Sequence, residues 1–217
     1  MHEIIDNLKS IDDELKIKIK NNKLPIIIAV SKTFQPSSIL PLLDHGHKHF
    51  GENKVQEAQD KWIDLKKNFT DIKLHMIGKL QTNKVKFAIP LFDYIHSLDS
   101  IKLANKISDE QIKKNKKPKI FIQINIGNEE QKSGINYSEI QDFYKICVED
   151  LNLDIIGLMC LPPKNNNSSE YFIKMQELAK DINIIDLSMG MSNDYLNAAQ
   201  NGSTYVRIGS KIFGKRN

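Results

Sequence analysis

Eight short apolar runs, seven of them followed by a stretch of helical periodicity, constrain this chain more than any other feature of its sequence. The first run, Ile26-Ile27-Ile28-Ala29-Val30, follows Pro25 and has no polar alternation, as a parallel strand covered on both faces requires. A helix over 37–44 follows, with Ile39, Leu40, Leu42 and Leu43 apolar. The same reading places strands at 48–50, 73–77, 93–97, 119–126, 153–159, 184–188 and 204–208. Between them it places helices at 53–69, 83–88, 100–114, 137–149, 169–180 and 194–200. Ahead of the series, Ile4, Ile5, Leu8, Ile11, Leu15 and Ile19 have helical spacing that stops before Asn21-Asn22. Helix 1–22 is therefore expected as an extra element packing on the body of the fold.

Two α/β architectures share this alternation, the (β/α)8 TIM barrel and the doubly wound open sheet. Glycine separates them. Of only 10 glycines, Gly51, Gly78, Gly127, Gly157, Gly190 and Gly209 fall at or just beyond expected strand C-termini. Glycine at one end of nearly every strand suits a barrel whose βα loops ring a ligand site. The expected fold is one barrel domain over 1–217, with a polar loop at 164–169 after Pro162-Pro163 as its one soft spot.

Charge and cysteine usage exclude several function classes. With 31 basic and 27 acidic residues the formal charge is +4, a mild excess with the lysines spread along the chain. The densest run, Lys113-Lys114-Asn115-Lys116-Lys117, reads as the solvated C-terminus of a helix, where cations oppose the helix dipole. No nucleic-acid partner is expected, and cues for base stacking or groove reading are absent. Cys147 and Cys160 make neither a disulfide framework nor a zinc knuckle and read as buried thiols. The charged N-terminal stretch lacks a signal-peptide core, and no apolar run is long enough to span a bilayer, so no membrane association is expected and the cytoplasm is the expected compartment.

The usual nucleotide signatures, the nucleophile elbow and the His-Glu-x-x-His zinc motif are all missing. His45, His47 and His49 alternate as metal ligands on a strand would. No carboxylate or thiolate sits at a helpful spacing, and Lys48 adds a cation, so no metal is expected. Lys32, two residues past the first strand, has two readings. It is either an ordinary end-of-strand cation, or an amine partly desolvated at a barrel mouth and able to condense with an aldehyde. Ser188-Met189-Gly190-Met191-Ser192 and Arg207-Ile208-Gly209-Ser210 are small-residue turns after the last two strands, where barrels frequently hold phosphate. Capped turns with no ligand are the alternative.

The wording of these segments is that of a known family. Ala29-Val30-Ser31-Lys32-Thr33, Phe50-Gly51-Glu52-Asn53 through Glu57, and His75-Met76-Ile77-Gly78-Lys79-Leu80-Gln81 appear in order. They are followed by Ile95-His96-Ser97-Leu98-Asp99, Lys132-Ser133-Gly134, Gly157-Leu158-Met159, Leu187 through Ser192 and Val206 through Ser210. From about Pro25 to Gly214 the chain resembles the pyridoxal phosphate homeostasis protein family. That resemblance implies a fold like the N-terminal barrel of alanine racemase and pyridoxal 5'-phosphate as cofactor, bound as a Schiff base on Lys32. It further implies that Ser192, Gly209 and Ser210 hold the phosphate with help from Met191 or nearby backbone. Arg207 would face the pyridine nitrogen and Asn53 would lie near the ring. Ser210 stands where relatives usually carry Thr, Phe34 where a second lysine is common, and Lys79 in a variable slot.

Arginine offers only donors, so it leaves the pyridine nitrogen unprotonated and the electron sink weak. The related racemases draw a second base from an additional C-terminal domain, for which this chain, ending at Asn217, is expected to have no room. The expected function is thus a cofactor carrier in pyridoxal phosphate homeostasis, without turnover. Its expected partners are apo-forms of pyridoxal-phosphate enzymes, and its expected state is a monomer. The alternatives are a small amino-acid racemase using Tyr137, His75 or His96 as second base, and a binding module for nucleic acid or an acidic partner.

Overall fold

The computed structural model describes residues 2–19, 23–129, 131–163 and 168–214. Eight parallel strands close a barrel in sequence order. They are β1 Ile26–Val30, β2 His49–Glu52, β3 Lys73–Met76, β4 Tyr94–Leu98, β5 Lys119–Ile124, β6 Asp154–Cys160, β7 Asp186–Met191 and β8 Tyr205–Ile208, the last pairing back onto β1. The helices are α1 Glu3–Lys18, α2 Pro36–Asp44, α3 Val55–Asn68, α4 Val85–Leu91, α5 Ile101–Lys114, α6 Ile140–Lys145, α7 Ser168–Asp181, α8 Tyr195–Gln200 and α9 Ser210–Phe213. The expected barrel is the observed fold. The helix stop at Asn21-Asn22 and residues 164–167 of the polar loop lie outside the described residues.

Local chemistry explains the boundaries. α2 opens on Pro36, whose missing N–H costs nothing in a first turn. α5 is capped by the Ser100 hydroxyl, which accepts the Leu103 N–H, and ends at Asn115 in a left-handed conformation (φ 46°). Lys113 and Lys114 occupy its last turn, as the dipole argument requires. Just beyond, Lys116 reaches Asp93 and the Pro90 carbonyl, and Lys117 reaches Asn152.

Four expectations are corrected. β7 runs to Met191, not 188, so Ser188 and Gly190 belong to the strand, while Ile184 and Ile185 precede it and Ile185 is exposed. Pairing with β6 and β8 overrides the low strand propensity of Ser and Gly there. The helix expected over 137–149 is broken into a 3-10 turn (Tyr137–Glu139), α6 and a π turn (Ile146–Asp150). The last strand does have a following helix, the short α9. Gly157 also sits inside β6 rather than at its end. A Cβ there would run into the Asp186 carbonyl and the Phe121 ring, so its role is close packing of the barrel wall.

The main core lies between barrel and helices, where Trp62, Phe50, Phe92, Phe172, Ile39 and Leu74 are fully buried. Each such side chain contributes about 1.5–3 kcal/mol by leaving water. α1 joins this layer through Leu8, Ile11 and Leu15, packing on α8, α9 and α2. Asn7 donates to the Ile212 carbonyl at 3.0 Å. The barrel interior is different in kind. Its apolar cluster is only Ile28, Tyr94, Phe121, Met159 and Tyr205, and buried beside it are His75, His96, Ser188 and Arg207.

Candidate functional site

Strand register gathers the sequence-predicted residues at one end of the barrel. Around the barrel the order β7, β8, β1, β2 is continuous, and each of these strands carries part of the expected set at its C-terminal end. Ile28 pairs with Arg207 and Ala29 with Ile208, which puts Gly209 beside Val30; a Cβ on Gly209 would lie 3.4 Å from the Val30 carbonyl. Val30 pairs with Gly51, and the Ser31 N–H reaches the Gly51 carbonyl at 3.0 Å, so Asn53 flanks the turn that carries Lys32. Met191 pairs with Arg207. Gly78 lets the segment just after β3 come against Asn53, since a Cβ there would collide with the Asn53 backbone.

Lys32 is half-buried in a turn immediately after β1. The next residue, Thr33, has φ 69°, a conformation that costs a β-branched residue on the order of 1–3 kcal/mol. Side chains from β2 and α3 hold the turn there. The Thr33 N–H donates to Glu57 Oε1. The buried Lys61 ammonium donates to the carbonyls of Ser31 (2.9 Å) and Phe34 (3.2 Å) and pairs with Glu57 (2.9 Å) and Glu52 (2.8 Å). Glu52 is fully buried, and its Oε1 also accepts from the Ser31 hydroxyl (2.8 Å) and the Trp62 indole (3.0 Å). Burial raises the Glu52 carboxyl above its ordinary pKa, against the pull of Lys61. Sequence reading missed Lys61. The second lysine that seemed absent near Lys32 arrives from α3, beneath the backbone of that turn.

Arg207 is buried, with Nη1 donating to Ser188 Oγ at 2.6 Å and Nη2 to the Cys160 carbonyl at 2.8 Å. No carboxylate lies within ion-pair distance of it among the described residues. Two of its five N–H donors are thereby fixed, and the guanidinium itself offers only donors and no proton-accepting partner to a ring nitrogen. Ser192 is half-buried in the turn after β7, and Ser210, exposed, opens α9. Gly190 (φ 89°) lies against α8, where a Cβ would stand 2.5 Å from that of Ala198. The Met191 N–H is already spent on Asp194 Oδ1 at 2.6 Å.

The other singled-out residues lie elsewhere. His45, His47 and His49 do not converge: His45 is exposed, His47 Nε2 meets the carbonyl of His49 at 2.9 Å, and the His49 ring turns to His75. Among the described residues no group of three metal-ligating side chains forms. Tyr137 is exposed, with the Lys174 ammonium 3.5 Å above its ring. Cys147 and Cys160 are buried, and desolvation pushes both thiols up to about 12, so they carry no thiolate. Lys79 lines a cavity of about 560 Å³ on the β3–β5 side together with Asp99, Lys102 and Lys132. No helix among the described residues is long and apolar enough to cross a membrane.

A family model described as the alanine racemase N-terminal domain matches residues 7–217. A pyridoxal phosphate homeostasis protein of Aquifex aeolicus is 37% identical over 199 residues, covering 88% of this chain and 86% of the relative. One of Haemophilus influenzae is 38% identical over 220 residues, covering 96% and 92%. Among solved structures, PipY of Synechococcus elongatus is 30% identical. It superposes with a TM-score of 0.88 without pyridoxal phosphate and 0.85 with it bound, each over 97% of this chain and 100% of PipY.

Proposed function

The chain belongs to the pyridoxal phosphate homeostasis protein family, and from that membership we propose that it binds pyridoxal 5'-phosphate as a Schiff base on Lys32, holding and handing on the cofactor without turning over an amino acid. The observation that carries the reading is the position of Lys32. Half-buried at the mouth of β1, it is flanked by the Arg207 end of β8 on one side and by Asn53 on the other. When bound, pyridoxal phosphate supplies an aldehyde for amines and an electron sink for carbanions.

The residues present fit that group. Lys32 offers the amine, and the Lys61–Glu57–Glu52 network fixes the turn that presents it. Arg207 offers N–H donors to a pyridine nitrogen and no proton acceptor, which keeps the sink weak. Ser192, Gly209 and Ser210 would supply hydroxyls and close backbone approach for the phosphate, and Asn53 would lie near the ring. Against a racemase, both ring nitrogens of His75 and of His96 are engaged with neighbours inside the barrel, and Tyr137 is occupied by Lys174 on the surface. The fitting partners are apo-forms of pyridoxal-phosphate enzymes, served by a monomer with an open mouth.

Addition of pyridoxal phosphate to the purified protein is expected to give a visible absorption band that Lys32→Ala abolishes, with no racemisation of added amino acids. A band of equal strength in Lys32→Ala would contradict the anchor, and racemisation above the free-cofactor rate would contradict the carrier reading.

A further inference from the structure

Inside the barrel, three imidazoles and one hydroxyl form an unbroken row. His49 Nδ1 lies 2.9 Å from His75 Nε2, His75 Nδ1 lies 2.9 Å from His96 Nε2, and His96 Nδ1 lies 2.8 Å from Ser188 Oγ. Ser188 Oγ accepts from Arg207 Nη1 at 2.6 Å. The row starts at the first residue of β2, on the barrel floor, and crosses β3, β4 and β7 to reach β8 near the mouth. His75, His96 and Ser188 are fully buried, and only His49 has access to solvent.

A neutral imidazole has one donor nitrogen and one acceptor nitrogen. His75 and His96 are linked through both nitrogens, so the tautomer of one ring dictates that of the next. Only two arrangements satisfy every link, all rings protonated on Nε2 or all on Nδ1. Arg207 chooses between them. It can only donate, so it occupies an acceptor site on Ser188 Oγ, and the hydroxyl proton needs an acceptor of its own. His96 Nδ1 is the acceptor within reach. It follows that His96 is protonated on Nε2, and so in turn are His75 and His49.

We propose that Ser188, His96, His75 and His49 form one polarised relay in which every proton is donated away from Arg207 toward the barrel floor, positioning the guanidinium, and that protonation of His49 reverses it. Among the described residues Arg207 has no carboxylate within ion-pair distance, and a buried cation needs such a row of dipoles whose negative ends face it. When His49 takes one proton from water it becomes a donor at both nitrogens. His75 must then accept at Nε2 and carry its proton on Nδ1, His96 must do the same, and the Ser188 hydroxyl proton must swing away. One proton is gained on His49, and the other two rings only exchange nitrogens.

The groups around the row are compatible with neutral rings. His49 is faced by His47, Lys73, Lys48 and Asp93 and by the Tyr94 ring. His75 stacks on Tyr94 at 4.2 Å and neighbours Tyr205, with His47 as a further cation source. His96 stacks on Phe121 at 4.3 Å, near Tyr94 and Tyr205, with Arg207 its charged neighbour. Burial, the largest cause in each ring, holds His49 at about 4 and the two inner rings well below the ordinary value. The relay shares Arg207 with the proposed function but not Lys32, and its test needs no cofactor, so its failure and that of the cofactor reading are distinguishable.

The test uses the full chain labelled with 15N-histidine, without added cofactor, and reads the protonated nitrogen of each ring by long-range proton–nitrogen correlation. At pH 7 all three rings are expected to be protonated on Nε2. As His49 charges on acidification, His75 and His96 are expected to exchange completely to Nδ1 with the same midpoint, and the Arg207 guanidinium resonances to move with them. His49→Gln keeps a hydrogen-bonding side chain that does not ionise, and is expected to abolish that acid response. Neighbouring rings with different tautomers, all three on Nδ1 at pH 7, or inner rings indifferent to His49 would each overturn the proposal. If the backbone amide spectrum shows unfolding before His49 charges, the tautomers at pH 7 decide alone.

Discussion

Lys61→Met is expected to lower the stability of the protein by about 3–5 kcal/mol, the cost of leaving one member of a buried ion pair behind. Lys61 and Glu52 are both buried and 2.8 Å apart. Without the ammonium, Glu52 keeps a carboxylate at 0% exposure with only the Ser31 hydroxyl and the Trp62 indole as donors to Oε1, and Oε2 already has no partner. The carbonyls of Ser31 and Phe34 lose their donor in the same stroke. Denaturant unfolding at pH 7 measures the loss. Glu52→Gln/Lys61→Met is expected to recover part of it, because the stranded charge is gone. The pH dependence has a defined sign. Removing Lys61 raises the folded-state pKa of Glu52 further above its unfolded value, so the part of the penalty due to the stranded charge is absent below about pH 4 and grows as pH rises, while the part due to the two carbonyls persists at every pH. A loss under about 1 kcal/mol would mean that the pair is not buried as the geometry has it.

Acid should weaken the protein well before its carboxylates titrate. Burial holds His47 and His49 at about 4 and keeps His75 and His96 well below the ordinary value, whereas an unfolded histidine titrates near 6.5. These folded-state values are depressed, so between pH 6.5 and 4 the unfolded chain binds more protons than the native one. Stability is therefore complete above about pH 6.5 and is lost as pH falls. At 1.36 kcal/mol per unit, His47 and His49 each forfeit about 2 kcal/mol by pH 5, and the two inner histidines add to the same side. Against a typical total of about 5–15 kcal/mol this is a large fraction. Urea unfolding at pH 7, 6 and 5 reads the slope, and His49→Gln should remove its share. Equal stability at pH 7 and pH 5 would place these imidazoles in water.

The barrel was legible because β-branched runs separated by amphipathic segments leave few other foldings, and Ile26–Val30 is an extreme case. In sequence Ser188-Met189-Gly190-Met191 looks like a turn, and only its pairing between β6 and β8 makes it a strand. At the site, Lys32, Asn53, Arg207 and the glycine turns were marked by motif wording. Their convergence depends on β8 closing onto β1, which a linear reading supplies only once a barrel is assumed. Lys61 was not legible at all: on a helix rich in Lys, Asp and Gln it reads as one more solvated cation. His49, His75 and His96 are 26 and 21 residues apart along the chain, and each looks incidental alone. The signal that could have found them is their common placement, one imidazole on an inward-facing position of each of three successive strands.

The central claim is that Lys32, among the many lysines of this chain, carries the cofactor. Borohydride reduction of the protein loaded with one equivalent of pyridoxal phosphate, followed by digestion and mass mapping, tests it most directly. The account predicts a pyridoxyl group on the peptide containing Ser31-Lys32-Thr33, in near-stoichiometric amount. A label found mainly on Lys61, Lys79 or Lys132, or scattered over surface lysines with Lys32 unmodified, would contradict it.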